Sequence, residues 1–156
     1  MAGKLKLDEV DRQILQDLQD YGRITNVDLA DKVGISAPPC LRRVRALEKA
    51  GYLTGYHADV DSAKLGFTVT VFAMVGLHSQ ADKDLQAFEE LVRSWPEVRE
   101  CHMLNGDIDF ILKCVSEGLS SFQMFLTQKL TPAPNVANVK TSLTIRQTKK
   151  QPGVPL

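Results

Sequence analysis

Three arginines and a lysine fall within eight residues, Arg42, Arg43, Arg45 and Lys49, against the single acid Glu48. An arginine fork donates two parallel hydrogen bonds, which suits both a phosphate and the edge of a guanine. Just upstream, Ser36-Ala37-Pro38-Pro39 begins a helical pattern, and a helix N-terminus presents backbone donors and a positive dipole end to a phosphate. Nucleic acid is therefore the first chemistry to consider, although most charge runs are only solvated faces. A second group lies in the C-terminal half, where Asn105-Gly106-Asp107 and Asp109 crowd one turn between two apolar stretches. Enzymatic chemistry finds little support. His57, His78 and His102 lack metal-ligand spacing, and neither a phosphate-cradling glycine loop nor a recognisable nucleophile motif is present.

The bulk properties bound the answer. The chain has 156 residues, 44% hydrophobic and 24% charged, as expected of a globular protein. Nineteen basic residues balance nineteen acidic ones, which argues against an indiscriminate nucleic-acid coat. A local basic surface is still compatible with that balance, because charges beyond about 10 Å are screened. No apolar run approaches the roughly 20 residues of a membrane span, and Met1–Val10 lacks a signal-peptide core, so a cytoplasmic location is expected. Cys40, Cys101 and Cys114 fit neither a disulfide framework nor a zinc pattern, and are read as reduced, packed thiols. Cys40 is placed at the edge of an apolar face.

The elements that must position the basic cluster are helices. Leu7, Val10, Ile14, Leu18 and Tyr21 recur at steps of three and four. Asp8 is a plausible N-cap with Asp11 three residues on, and Gly22-Arg23 breaks the helix. Thr25 caps a second helix, with Asp28 completing a shortened capping box, and Gly34 ends it in the left-handed position. Ser36 caps a third, with the two prolines in its first turn, Leu41, Val44 and Leu47 as its apolar ridge, and Gly51 closing it. Two helices joined by a short glycine-containing turn make a helix-turn-helix. Arg42, Pro39 and Ala46 point away from the ridge, flanked by Arg43, Arg45 and Lys49. The candidate DNA contacts are Arg23, Asn26, Ser36, Ala37, Pro38, Pro39, Arg42, Arg43 and Arg45.

Past Gly51 the period changes. Tyr52–Val60 reads as an extended connector, and from Phe67 onward valines alternate with Thr68, Thr70, Phe72 and Met74. A helix follows over Asp82–Trp95, then strands Val98–Leu104 and Asp109–Val115 joined tightly at Asn105-Gly106. A second helix spans Leu119–Leu130 and a last strand Val136–Gln147. The order β-α-β-β-α-β is the ferredoxin-like split motif. The expected fold is α+β: a helix-turn-helix (winged-helix-like) domain over residues 1–51, a linker over 52–66, a ferredoxin-like domain over 67–150 and a tail over 151–156. Phe72 and Met74 make both faces of the first strand apolar, while two helices can cover only one. A second copy of the sheet is the simplest cover, so an obligate homodimer is expected.

The segments "LDEVDRQILQDLQDYGRITNVDLADKVGISAPPCLRRVRALEKAGYLTGYHADVD" and "ECHMLNGDIDFILKC" together resemble the Lrp/AsnC (feast/famine) family of prokaryotic transcriptional regulators. The likeness runs from Leu7 to about Lys150 and leans toward the leucine-responsive members. It implies a regulator of amino-acid metabolism genes that binds promoter DNA, forms dimers through its C-terminal sheets and assembles further to tetramers or octamers. No cofactor or metal is implied, and no enzymatic activity. An amino-acid effector, leucine or another apolar one, would bind between dimers near the signature turn. Carried over position by position, the ligand candidates are Met103, Leu104, Gly106, Asp107, Ile108, Asp109, Thr141 and Ser142. Backbone N–H groups around Gly106 suit a carboxylate, and Asp109 suits an ammonium group. Asn135, where glycine commonly stands in the family, tolerates the left-handed conformation. A DNA-free amino-acid sensor or scaffold is the alternative reading, against which the helix-turn-helix with its basic outer face argues.

Overall fold

A computed structural model describes residues 6–156. The chain forms two compact units, one of residues up to 60 together with 149–156, the other of residues 61–148. The connector thus travels with the first unit as far as Val60, and the last eight residues return to it rather than ending the second domain or standing alone.

The first unit holds α1 (Glu9–Asp20), α2 (Asn26–Lys32) and α3 (Ala37–Lys49). The expected caps explain where these helices begin and end. The Asp8 side chain accepts from the Asp11 N–H at 2.8 Å while Asp11 accepts from the Asp8 N–H, the reciprocal capping box. Thr25 accepts from the Asp28 N–H, but Asp28 takes the Thr25 hydroxyl (2.6 Å) instead of reaching back to the backbone. Gly34 (φ 70°) and Gly51 (φ 77°) occupy the left-handed positions that close α2 and α3. The core is Ile14, Leu15 and Leu18 of α1, Leu29 and Ala30 of α2, and Cys40 and Leu47 of α3. Tyr21, part of the apolar stripe by its spacing, is instead 60% exposed, with Lys32 Nζ 4.4 Å from its ring centre. Residues 149–156 are held at α1, where Gln19 donates to the Val154 carbonyl (3.1 Å) and accepts its N–H (2.7 Å). Gly153 sits at φ 69°, the left-handed region that favours glycine, and a side chain there would displace the Gln19 amide.

The second unit holds β1 (Val69–Leu77), α4 (Asp82–Arg93), β2 (Val98–Met103), β3 (Phe110–Ser116), α5 (Leu119–Phe125), a π-helical turn continuing α5 (Leu126–Leu130) and β4 (Val136–Leu143). The four strands form one antiparallel sheet in the order β2-β3-β1-β4, as the split motif requires. Val71, Ala73 and Val75 of β1 and Phe110, Leu112 and Cys114 of β3 face the helices and are buried. Phe88, Trp95, Phe122 and Phe125 cover them, with Phe88 4.9 Å from Phe110 and Trp95 edge-on to Phe125 at 5.4 Å. Burial pushes the Cys114 thiol up to about 12 and also raises Cys101, which makes both poor nucleophiles.

Three sequence boundaries move. The turn between β2 and β3 is not the two-residue Asn-Gly type. Met103 pairs with Phe110, the Leu104 N–H donates to the Asp109 carbonyl (2.8 Å), and residues 105–108 form the loop. The helix expected over Leu119–Leu130 widens to π geometry after Phe125, with Thr127 Oγ1 bonding back to the Gln123 carbonyl at 2.8 Å. The last strand stops at Leu143, paired with Val71, with one further bond from the Thr144 N–H to the Thr70 carbonyl (2.9 Å).

Candidate DNA-binding and ligand sites

The geometry of α3 sorts the basic residues into two groups. The helix buries Cys40 and Leu47 completely, with Val44 between them and Leu41 37% exposed. At 100° per residue the inward direction is therefore centred on Cys40, about 40° from Val44, the middle of the expected ridge. Arg42, Arg45 and Lys49 then point outward together with Pro38 and Ala46. Arg43 falls on the inward flank, where its Nη1 donates to Asp8 Oδ2 (2.8 Å) and Asp11 Oδ1 (2.7 Å). The sequence pattern puts Arg43 on the flank of the outer basic face; the structure ties it to α1 because the apolar stripe is rotated toward Cys40. These bonds, from Asp11 first, raise the arginine's pKa, while the Asp11 backbone N–H and then Arg43 hold the Asp8 carboxyl below its ordinary value.

The helix N-terminus differs from expectation in a similar way. Ser36 has the extended backbone of an N-cap, but its hydroxyl makes no cap hydrogen bond. Pro38 and Pro39 carry no N–H, and the Cys40 N–H donates to the Ser36 carbonyl, which leaves Ala37 as the first-turn donor to an anion. Asn26 donates to the Ala37 carbonyl at 2.8 Å, so it ties the start of α2 to the start of α3. Arg23 lies exposed in the turn before α2. The outward set Arg23, Ser36, Pro38, Arg42 and Arg45 is thus separate from Asn26 and Arg43, which face protein partners, from Ala37, which packs against the core, and from the half-buried Pro39.

The eight ligand candidates are not brought together. Met103 (59% exposed) and Leu104 end β2 at one edge of the sheet, with Gly106, Asp107 and Ile108 in the loop beside them. Thr141 and Ser142 lie on β4, the opposite edge, paired with Ala73 and Phe72 and so on opposite faces. Three strand spacings of about 4.8 Å separate the edges by roughly 14 Å. Asp109 is already engaged. Its Oδ2 accepts the Leu77 N–H at 2.6 Å and its own N–H donates to the Val75 carbonyl at 3.0 Å. The β-bulge at Gly76-Leu77 frees that N–H from the ladder, and Asp109 satisfies it. A cavity of about 370 Å³ does open in this unit, lined by Phe67, Glu97, Ser116, Ser121, Met124 and Lys129 among others, but by none of the candidates.

Two further features add to what the sequence pattern indicates. Asn135 adopts the left-handed conformation (φ 67°), and its amide also grips Ser79, accepting its N–H (2.9 Å) and donating to its carbonyl (2.8 Å). On the sheet face away from the helices, Ile111 joins Phe72 and Met74 as a partly exposed apolar group, beside the Glu100–Lys113 pair (2.6 Å).

Residues 70–154 match the Lrp/AsnC ligand binding domain, and residues 7–54 match a winged helix-turn-helix DNA-binding domain. The chain belongs to the Lrp/AsnC family of transcriptional regulators. It is 54% identical to a leucine-responsive regulatory protein of Rhizobium meliloti, over 96% of each chain. It is 40% identical to the Bkd operon transcriptional regulator of Pseudomonas aeruginosa, over 97% of this chain and 99% of that one. Among solved structures it resembles a Neisseria meningitidis transcriptional regulator in complex with L-methionine, with TM-score 0.92, 33% identity and 96% and 97% of the two chains covered. An AsnC family regulator from Agrobacterium tumefaciens superposes with TM-score 0.90 at 31% identity, covering 96% and 97%. This Lrp/AsnC protein is therefore a transcriptional regulator and not an enzyme. Among its described residues no helix is long and apolar enough to cross a membrane, and no group of three His, Cys, Asp or Glu side chains could hold a metal.

Proposed function

We propose that this chain is a cytoplasmic, sequence-specific regulator of amino-acid metabolism genes, whose grip on promoter DNA responds to a small apolar amino acid. The observation that carries the DNA half is the outward face of α3. Arg42, Arg45 and Lys49 project there from a helix that its own core fixes in place. Such a helix reads base edges with its N-terminal half and phosphates with its flanks.

The observation that carries the effector half is the separation of the ligand candidates. Residues at opposite sheet edges can share a ligand only where two copies meet, so the site needs an assembly. The half-exposed Phe72, Met74 and Ile111 supply a surface for a homodimer, and dimers then associate to tetramers or octamers. The L-methionine complex of the Neisseria relative supports an apolar amino acid such as leucine or methionine as the effector. Effector binding shifts assembly or helix spacing by a coupling of about 1–3 kcal/mol.

The test is fluorescence anisotropy on DNA from the chain's own upstream region, across a salt series and with a panel of amino acids. Specific, salt-sensitive binding that shifts with one or a few amino acids is expected. Amino-acid binding without any DNA binding would replace this reading with that of a DNA-free sensor.

A further inference from the structure

We propose that Asp8, Asp11 and Arg43 form a clamp that sets DNA specificity, by positioning α3 on α1 and by withholding one cation from the phosphate backbone. The inference rests on the reading of α3 as the DNA-reading helix, and it assigns Arg43 a role opposite to that of Arg42 one residue away.

The geometry is closed on the protein side. Asp8 Oδ1 accepts the Asp11 N–H (2.8 Å) and Asp8 Oδ2 accepts Arg43 (2.8 Å). Asp11 Oδ2 accepts the Asp8 N–H (3.2 Å) and Asp11 Oδ1 accepts Arg43 (2.7 Å). Each of the four carboxylate oxygens thus has a partner, and the same two acids cap α1 and hold α3. Their burial is graded: the Asp11 side chain is 10% exposed, Arg43 35% and Asp8 52%. A carboxylate as enclosed as Asp11 requires a cation, and Arg43 is the cation α3 provides. Within the clamp two carboxylates face one arginine, so the clamp itself carries a net negative charge, while Arg42, Arg45 and Lys49 make the outward face of α3 positive. A DNA backbone approaching the wrong flank is repelled, and one approaching the outward face is attracted. Like-charge repulsion of this kind discriminates between docking poses more than it adds affinity.

The test compares two duplexes of equal length, the chain's own upstream region and an unrelated sequence, with affinity read against salt. Arg43→Gln keeps a hydrogen-bond donor and removes the charge. It is expected to leave the salt slope on the unrelated duplex unchanged, whereas Arg42→Ala lowers it by about 0.9 for each phosphate that is no longer neutralised. On the upstream duplex Arg43→Gln weakens binding about tenfold, the scale of one misplaced base-reading side chain, and Arg43→Lys recovers part of that affinity. The double change Asp8→Asn with Asp11→Asn releases Arg43 without changing side-chain size. It is expected to steepen the slope and strengthen binding to the unrelated duplex, which lowers the specificity ratio. Circular dichroism on every variant establishes that the helices are intact. A slope that falls in Arg43→Gln as it does in Arg42→Ala overturns the clamp and makes Arg43 a phosphate-binding residue. So does unrelated-duplex binding that the folded Asp8/Asp11 variant leaves unchanged. A wild-type chain that binds neither duplex overturns the DNA-binding reading itself, and the clamp's part in specificity with it.

Discussion

The two candidate sites differ in how much of each is contained in one chain. The DNA-facing surface is local: its residues come from a single helix and the turns before it, and the core under that helix sets their direction. The ligand candidates come from a loop at one sheet edge and a strand at the other, roughly 14 Å apart by strand spacing. A helix carries its own geometry in its period, so a face can be read, and built, from a dozen consecutive residues. A site assembled from opposite edges of a sheet would take its geometry from a second copy docked beside it. The contrast means that DNA binding should tolerate changes in assembly better than amino-acid binding does.

The strongest way to break that contrast is to block assembly. Ile111→Glu places a charge on the open sheet face, opposite the apolar Met74, and is expected to cost the proposed dimer about 3–5 kcal/mol, the scale of an unpaired charge at a dry interface. Sedimentation should then show a monomer at micromolar concentration, without amino-acid binding. A variant that stays dimeric would locate the interface elsewhere. Next in size is Asn135→Ala, which removes two hydrogen bonds to Ser79 and leaves an ordinary side chain at φ 67°. The sum is about 2–3 kcal/mol, read as a lower thermal midpoint, and Asn135→Gly should recover only the backbone part. Arg42→Ala should weaken binding to the upstream DNA by about 1–3 kcal/mol while leaving assembly unchanged. An unchanged affinity would move the DNA-binding surface off this face of α3.

The smallest effect is on acid stability. The Asp8 carboxyl is held below its ordinary value of 3.8 by the Asp11 N–H and by Arg43. A carboxyl depressed in the folded state stabilises fully above its unfolded value and loses that contribution as pH falls below it. Thermal midpoints measured downward from about pH 5 should therefore drop through that range, and Asp8→Asn should flatten the drop. An identical profile in Asp8→Asn would remove the carboxylate from the account.

Most of the fold is legible in the sequence because its signals are local. Asp8, Thr25, Gly34 and Gly51 mark helix ends by their own chemistry, and the alternation through β1 sets the buried Val71 and Val75 apart from Phe72 and Met74. Where pattern and structure part, a non-local partner decides. Centring the apolar stripe on Val44, the middle of the Leu41, Val44 and Leu47 ridge, rather than on Cys40 turns α3 by about 40° and leaves Arg43 flanking the outer face; the enclosed Asp11 on α1 claims it. Cys40 is visible as a small apolar residue, so that signal is available. The engagement of Asp109 is not, because it depends on a bulge at Gly76-Leu77 that no local pattern announces. The return of residues 149–156 to the first unit uses pairings distant in sequence, Gln19 with Val154, 135 positions apart, and Lys150 with Asp59, and is equally invisible.

The central claim, that the amino-acid site is completed by a second copy, is tested most directly by subunit complementation. One chain carries Met103→Glu at the β2 edge and the other Thr141→Glu on β4, and the two are produced separately and then co-expressed. Calorimetry with L-leucine and with L-methionine reads binding to each assembly. The account predicts that neither variant alone binds, while the mixed assembly recovers part of the wild-type stoichiometry. A wild-type chain that binds while the mixed assembly does not would place the site within one chain, and full binding by either variant alone would take its substituted residue out of the site; either result contradicts the account.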